Sequence, residues 1–132
     1  MTTIPDAFHD LLEHKKAFAN LATVMADGSP QVTPVWFDYS AGLIRVNTAK
    51  GRVKARTLKP GAPVALSIMD PDNAYRYMQI RGKVASVTET GADGHIDSLA
   101  KKYLDKDTYP FRQPGERRVT IAIAPEAVQT MG

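Results

Sequence analysis

The chain has 132 residues, 43% hydrophobic and 23% charged, with a formal net charge of +3. That suits a single domain, residues 1–132, with a core of its own, and excludes disorder. The absence of cysteine excludes disulfides, thiolate metal sites and thiol nucleophiles. The start of the chain lacks the apolar core of a signal peptide, and no run of about 18 apolar residues could span a membrane. The expectation is a soluble, cytoplasmic protein.

In chain order, residues 5–15 predict a short amphipathic helix, with Ala7, Phe8, Leu11 and Leu12 at helical spacing. Residues 17–26 predict a strand, and Asp27-Gly28-Ser29-Pro30 is a turn signal into the β-rich run 31–39. Pro34 inside that run predicts an edge strand or an interruption, because proline removes a ladder donor. Ser40-Ala41-Gly42 closes a second hairpin into a strand over 43–48. Residues 50–59 predict a basic helix, with Val53, Thr57 and Leu58 facing the core.

Residues 62–69 predict a strand with Val64, Leu66 and Ile68 alternating. Asp70-Pro71-Asp72-Asn73 predicts a β-turn with Asx capping, since the glycine and distal glutamate of a calcium loop are missing. Over 75–88, alternation puts Met78 and Ile80 on one face and Tyr75, Tyr77 and Gln79 on the other. Residues 93–104 predict a helix with Ile96, Leu99, Ala100 and Tyr103 on one stripe. A polar, proline-containing loop over 105–116 leads to a last strand, 117–128, alternating Val119, Ile121 and Ile123. Six short strands with helices at three joints predict a mainly β fold, a small antiparallel barrel.

The chemistry concentrates in one segment. No carboxylate occurs from Tyr39 to Met69, while Arg45, Lys50, Arg52, Lys54, Arg56 and Lys59 do. A strand entering a glycine-bearing turn and a basic helix is an anion receptor, because free N–H groups and the positive helix end lie among long cations. A solvated basic face is the plain alternative. Against it, Lys50/Lys54 and Arg52/Arg56 repeat at i, i+4 without nearby acids, which costs a few tenths of a kcal/mol per pair unless an anion relieves it. His9, His14 and His95 are isolated and read as surface or structural, so no metal site is expected. Neither a P-loop nor a dinucleotide-binding glycine motif is present. A nucleic-acid-binding barrel is disfavoured because the basic segment lacks interleaved aromatics.

Three runs carry a family resemblance: Asp27-Gly28-Ser29-Pro30-Gln31-Val32-Thr33-Pro34-Val35-Trp36-Phe37, Ile44-Arg45-Val46-Asn47-Thr48 and Lys50-Gly51-Arg52-Val53-Lys54-Ala55-Arg56-Thr57-Leu58. With Tyr77-Met78-Gln79-Ile80-Arg81-Gly82-Lys83-Val84, they resemble the pyridoxamine 5′-phosphate oxidase-like superfamily over residues 15–125. The short chain looks most like its branch B, the oxidoreductases that use the deazaflavin coenzyme F420, with FMN as the alternative cofactor. The resemblance implies an FMN-binding split barrel that works as a homodimer with cofactor at the subunit interface. It implies that Arg52 and Lys54 hold the cofactor phosphodiester, with Asn47, Thr48 and Ala49 beside it. Gln31, Thr33 and Pro34 would run along the ring system, and Tyr75 and Tyr77 of the partner subunit would close the pocket. Lys50 and Arg56 would meet the glutamate tail. Of Trp36 and Phe37, one is expected in the core and the other against ligand or partner, with burial of both the simpler outcome.

The implied activity is hydride transfer from reduced deazaflavin to an electron-poor double bond, enone or quinone-like, of a small substrate. A different class, a non-catalytic carrier of the deazaflavin, stays open. So does an FMN-dependent oxidase or reductase of the same fold.

Overall fold

The computed structural model describes residues 2–52 and 56–132. Among these, seven strands form one antiparallel sheet: β1 (Ala19–Val24), β2 (Pro30–Val35), β3 (Asp38–Ser40), β4 (Leu43–Ala49), β5 (Pro63–Asp70), β6 (Asn73–Thr88) and β7 (Arg118–Met131). Their order is β2-β1-β5-β6-β7-β4-β3. The two edges, β2 and β3, are consecutive in the chain and separated only by Trp36 and Phe37. Three Cα steps reach at most about 11 Å, so the sheet must curl until its edges nearly meet. The result is a split barrel.

The run 31–39 was expected as one strand and is two, which makes seven strands instead of six. The cause is Phe37, fully buried, which turns the chain into the core. Side chains replace the ladder there. Lys102 Nζ donates to the Phe37 carbonyl at 2.8 Å, and the Phe37 N–H donates to the Tyr103 hydroxyl at 3.3 Å. Pro34 sits on an edge strand, opposite Asn20 of β1.

The core is built by period-2 alternation. Leu21, Ile44, Leu66, Ile68, Met78, Ile80, Ile121 and Ile123 are each at most 1% exposed, and each stabilises the fold by about 2 kcal/mol relative to an exposed side chain. The long strands β6 and β7 stay in contact around the curve through register shifts at Arg81/Gly82 and Val84/Ser86. Gly82 is required at the first shift, because a Cβ there would run into the carbonyl oxygen of Ala124.

The N-terminal helix is shorter than expected: a 3-10 turn, Asp6–Phe8, then α1 (His9–Glu13). Ile4, Phe8, Leu11 and Leu12 still join the core. Lys15 leaves the helix to meet Asp70 at 2.8 Å and Asp72 at 3.1 Å. The 70–73 turn is Asx-capped, with Asp72 N–H donating to Asp70 Oδ1 at 2.9 Å. Lys15 foremost, with the Asp72 N–H and Arg76, pulls the Asp70 carboxyl down to about 2. The second helix, α2 (Ala92–Leu104), starts after Gly91 in the left-handed region and buries Ile96, Leu99, Ala100 and Tyr103, the expected stripe. It lies on β4 and β7.

Candidate functional site

Alternation decides which side chains α2 covers. Ile44, Val46 and Thr48 of β4 are buried toward the core, so Arg45 and Asn47 take the other face. Arg118 and Thr120 of β7 share that face, with Asn47 directly opposite Thr120. A polar stripe thus lies beneath an amphipathic helix, and each of its groups needs a partner.

Asn47 supplies most of them. Its amide donates to the Ala92 carbonyl at 2.9 Å and stands 3.1 Å from His95 Nδ1, while its Oδ1 accepts from Arg118 Nε at 2.8 Å. An amide N–H facing Nδ1 makes that nitrogen the acceptor, so His95 Nε2 carries a proton. Nε2 lies 3.2 Å from Asp38 Oδ2, too poorly aligned for a hydrogen bond and therefore an electrostatic contact. Asp38 also accepts two hydrogen bonds from Arg45, its cross-strand partner, both at 2.8 Å. Burial pushes the Asp38 carboxyl up, but His95 and Arg45 outweigh it and hold the group below the usual carboxylate range.

In front of this network opens a cleft of about 250 Å³. Arg52 and Arg118 form its cationic end, beside Asn47 and Thr48. Pro34, Val35 and Trp36, where β2 ends, make one wall, and Ile96 and Leu99 of α2 another. Tyr109 and Phe111 come from the 105–116 loop, and Phe18 completes the lining. The Trp36 ring stacks on Tyr103 at 5.3 Å and 5° and meets the Tyr109 edge at 6.1 Å. Tyr103 is fixed in turn by a hydrogen bond to the Ala17 carbonyl, and burial pushes its phenol well up. The loop is tied to α2, since Tyr109 N–H and Arg112 both donate to Asp97 at 2.8 Å.

Of the residues expected at a site, the cleft brings together Pro34, Asn47, Thr48 and Arg52. Gln31 and Thr33 lie on β2, and Ala49 ends β4 buried, but none of these three lines it. Lys50 turns away to Glu89 at 2.7 Å, and Arg56 reaches the Gly51 carbonyl at 3.4 Å. Lys54 lies outside the described residues, as do Val53 and the middle of the expected basic helix. On its near side, Gly51 turns at φ 90, and the Arg56 N–H donates to the Arg52 carbonyl at 3.2 Å. Tyr75 is 83% exposed, and Tyr77 pairs with Met131 at the end of β7. Within one chain neither tyrosine reaches the cleft. Trp36 lines the cleft and Phe37 is core.

Two residues with central places there escaped the sequence reading. Arg118 is 4% exposed, bonded to Asn47 and Glu116, with its guanidinium 5.1 Å from the Tyr109 ring. Glu116 meets Arg118 at 2.8 Å and Arg52 at 3.9 Å. The local acids missing around the basic segment are therefore supplied from far along the chain, by Glu89 and Glu116. The one available signal was that Arg118 begins an otherwise apolar strand on the face opposite Val119 and Ile121.

Comparison with known proteins gives the lineage of this arrangement. The family model described as pyridoxamine 5′-phosphate oxidase matches residues 4–132. A solved structure named F420 reductase is 32% identical, with a TM-score of 0.80, covering 96% of this chain and 98% of that one. The FAD and heme binding protein from Mycobacterium smegmatis is 18% identical at a TM-score of 0.70, covering 98% and 71%. A pyridoxamine 5′-phosphate oxidase-like protein from Listeria innocua is 21% identical at 0.67, covering 95% of each chain. The last two share the fold alone. No curated protein matches the chain. A family model that spans nearly all 132 residues, on a split barrel shared with these structures, makes this chain a member of the pyridoxamine 5′-phosphate oxidase family, an oxidoreductase-type family.

Proposed function

We propose that the chain is an F420H2-dependent oxidoreductase that reduces an electron-poor double bond, of enone or quinone type, in a small substrate. The observation that carries the reading is the lining of the cleft. Two arginines and the polar Asn47 and Thr48 line it together with the apolar Pro34 and Val35 and the aromatic Trp36. That donor set fits a phosphate joined to a planar ring. A guanidinium gives a phosphate charge-assisted hydrogen bonds about twice as strong as neutral ones. The 32% identical structure named F420 reductase supports the deazaflavin over other phosphorylated rings.

When bound, the reduced deazaflavin supplies the hydride. The chain would supply position and dryness: Arg52 with Lys54 would hold the phosphodiester, and Trp36, stacked on Tyr103, would orient the ring. Ile96 and Leu99 keep water off one side. Glu116 is the carboxylate nearest the cleft and is held by Arg118 outside the lining residues, and the proton that completes the reduction is taken to come from solvent. The reading includes a homodimer, in which Tyr75 and Tyr77 of the second copy would close the cleft.

FMN in the same cleft is a second reading, favoured by the match to the family as a whole. The deciding experiment is anaerobic mixing of protein, reduced F420 and a panel of enones and quinones, following return of the oxidised cofactor's absorbance. Protein-dependent turnover supports the reductase. Binding without turnover of any acceptor would make the protein a carrier.

A further inference from the structure

A cleft that attracts an anion has a carboxylate already in place. The Glu116 side chain is only 7% exposed; Oε1 accepts from Arg118 Nη1 at 2.8 Å, and Oε2 lies 3.9 Å from Arg52 Nη2. Neither arginine is paired with another carboxylate among the described residues. Arg118 cannot turn away, since it is buried and its Nε is held by Asn47. The two guanidinium groups and Glu116 together therefore carry one net positive charge at the end of the cleft instead of two.

We propose that Glu116 tunes the charge preference of this cleft, weakening the binding of a doubly charged phosphomonoester more than that of a singly charged phosphodiester. The inference rests on the reading that a phosphorylated cofactor binds between these arginines. A phosphomonoester has its second ionisation near pH 6, so at pH 8 it carries almost two charges, and a diester carries one. Each charge on the ligand is repelled by the carboxylate separately. One extra charge about 6 Å away, in a medium between protein and water, changes relative affinity about tenfold. Because F420 is attached through a phosphodiester and FMN ends in a monoester, one carboxylate would shift the balance between the two cofactors at their phosphates without touching either ring.

The test uses small probes without a ring: methyl phosphate and dimethyl phosphate at pH 8. Binding is read from NMR shifts of the arginine Nε–H signals in the wild type, Glu116→Gln and Glu116→Asp. Glutamine keeps an oxygen for Arg118 but removes the charge, so it should raise affinity for methyl phosphate about tenfold more than for dimethyl phosphate. Aspartate, which keeps the charge, should preserve the wild-type ratio and also covers the case in which the glutamine variant folds poorly. An unchanged ratio in Glu116→Gln, or no binding of either probe to any of the three proteins, overturns the proposal. Failure of the wild type to bind F420 would sink the cofactor reading alone, because these probes do not depend on it.

Discussion

Asn47 and His95 are joined across the β4–α2 contact by a 3.1 Å approach of amide to imidazole, and the same amide group holds Arg118 through its oxygen. One side chain thus aligns the helix, the histidine and the arginine that borders the cleft. Asn47→Ala should leave the Arg118 Nε and the Ala92 carbonyl unpaired in buried residues. The expected loss is about 2 kcal/mol, read as a lower urea midpoint with an unchanged m-value. Cofactor affinity should fall as well, since Arg118 loses its anchor. Unchanged stability would show that water satisfies both groups.

Removing the two cations proposed to hold the phosphate should separate binding from folding. Arg52→Ala with Lys54→Ala should weaken F420 binding about 100-fold, as two charge-assisted hydrogen bonds of about 1.5 kcal/mol each are lost. The melting temperature should hold, because Arg52 is largely exposed and its one carboxylate contact is long, at 3.9 Å. Titration and thermal melting of the double variant check this, and undiminished binding would remove the phosphate-site assignment.

The acid limb of stability should carry the mark of Asp70. Its carboxyl sits at about 2 in the fold and near 3.8 unfolded, so the folded state favours the charged form. Its contribution is complete above pH 4 and is lost as pH falls through about 2. Asp70→Asn should flatten that part of the stability curve measured by denaturant unfolding between pH 5 and pH 2. A decline as steep as the wild type's would assign the acid sensitivity to other carboxylates.

The exposed apolar stretch of β5, β6 and β7 should be an interface. Tyr75, Met69 and Met131 are 83%, 45% and 53% exposed on adjacent stretches of β5, β6 and β7. Apolar surface of that extent is costly in water. Sedimentation in dilute solution should give a dimer, and Tyr75→Asp should weaken it. A clean monomer that still binds cofactor would contradict the shared site.

Features that depend on near neighbours were legible from the residues alone. The Asp27-Gly28 turn, the Asx-capped turn at Asp70, the alternation of Met78 and Ile80 and the buried stripe of α2 each follow from period or turn chemistry. The break at Phe37 was not legible, because what permits it, Lys102 and Tyr103, lies about 65 residues away. Half of the cleft was hidden for the same reason. Arg118 reaches Asn47 across 71 positions through β4–β7 pairing, and no local pattern encodes which strand another will pair with. Lys50 shows the converse: the sequence made it a free cation, and Glu89 binds it at 2.7 Å.

The most direct test of the central claim is a parallel fluorescence titration of the wild-type protein with F420 and with FMN. The account predicts saturable F420 binding at least about tenfold tighter than FMN binding. Tighter FMN binding, or binding of neither, would contradict it.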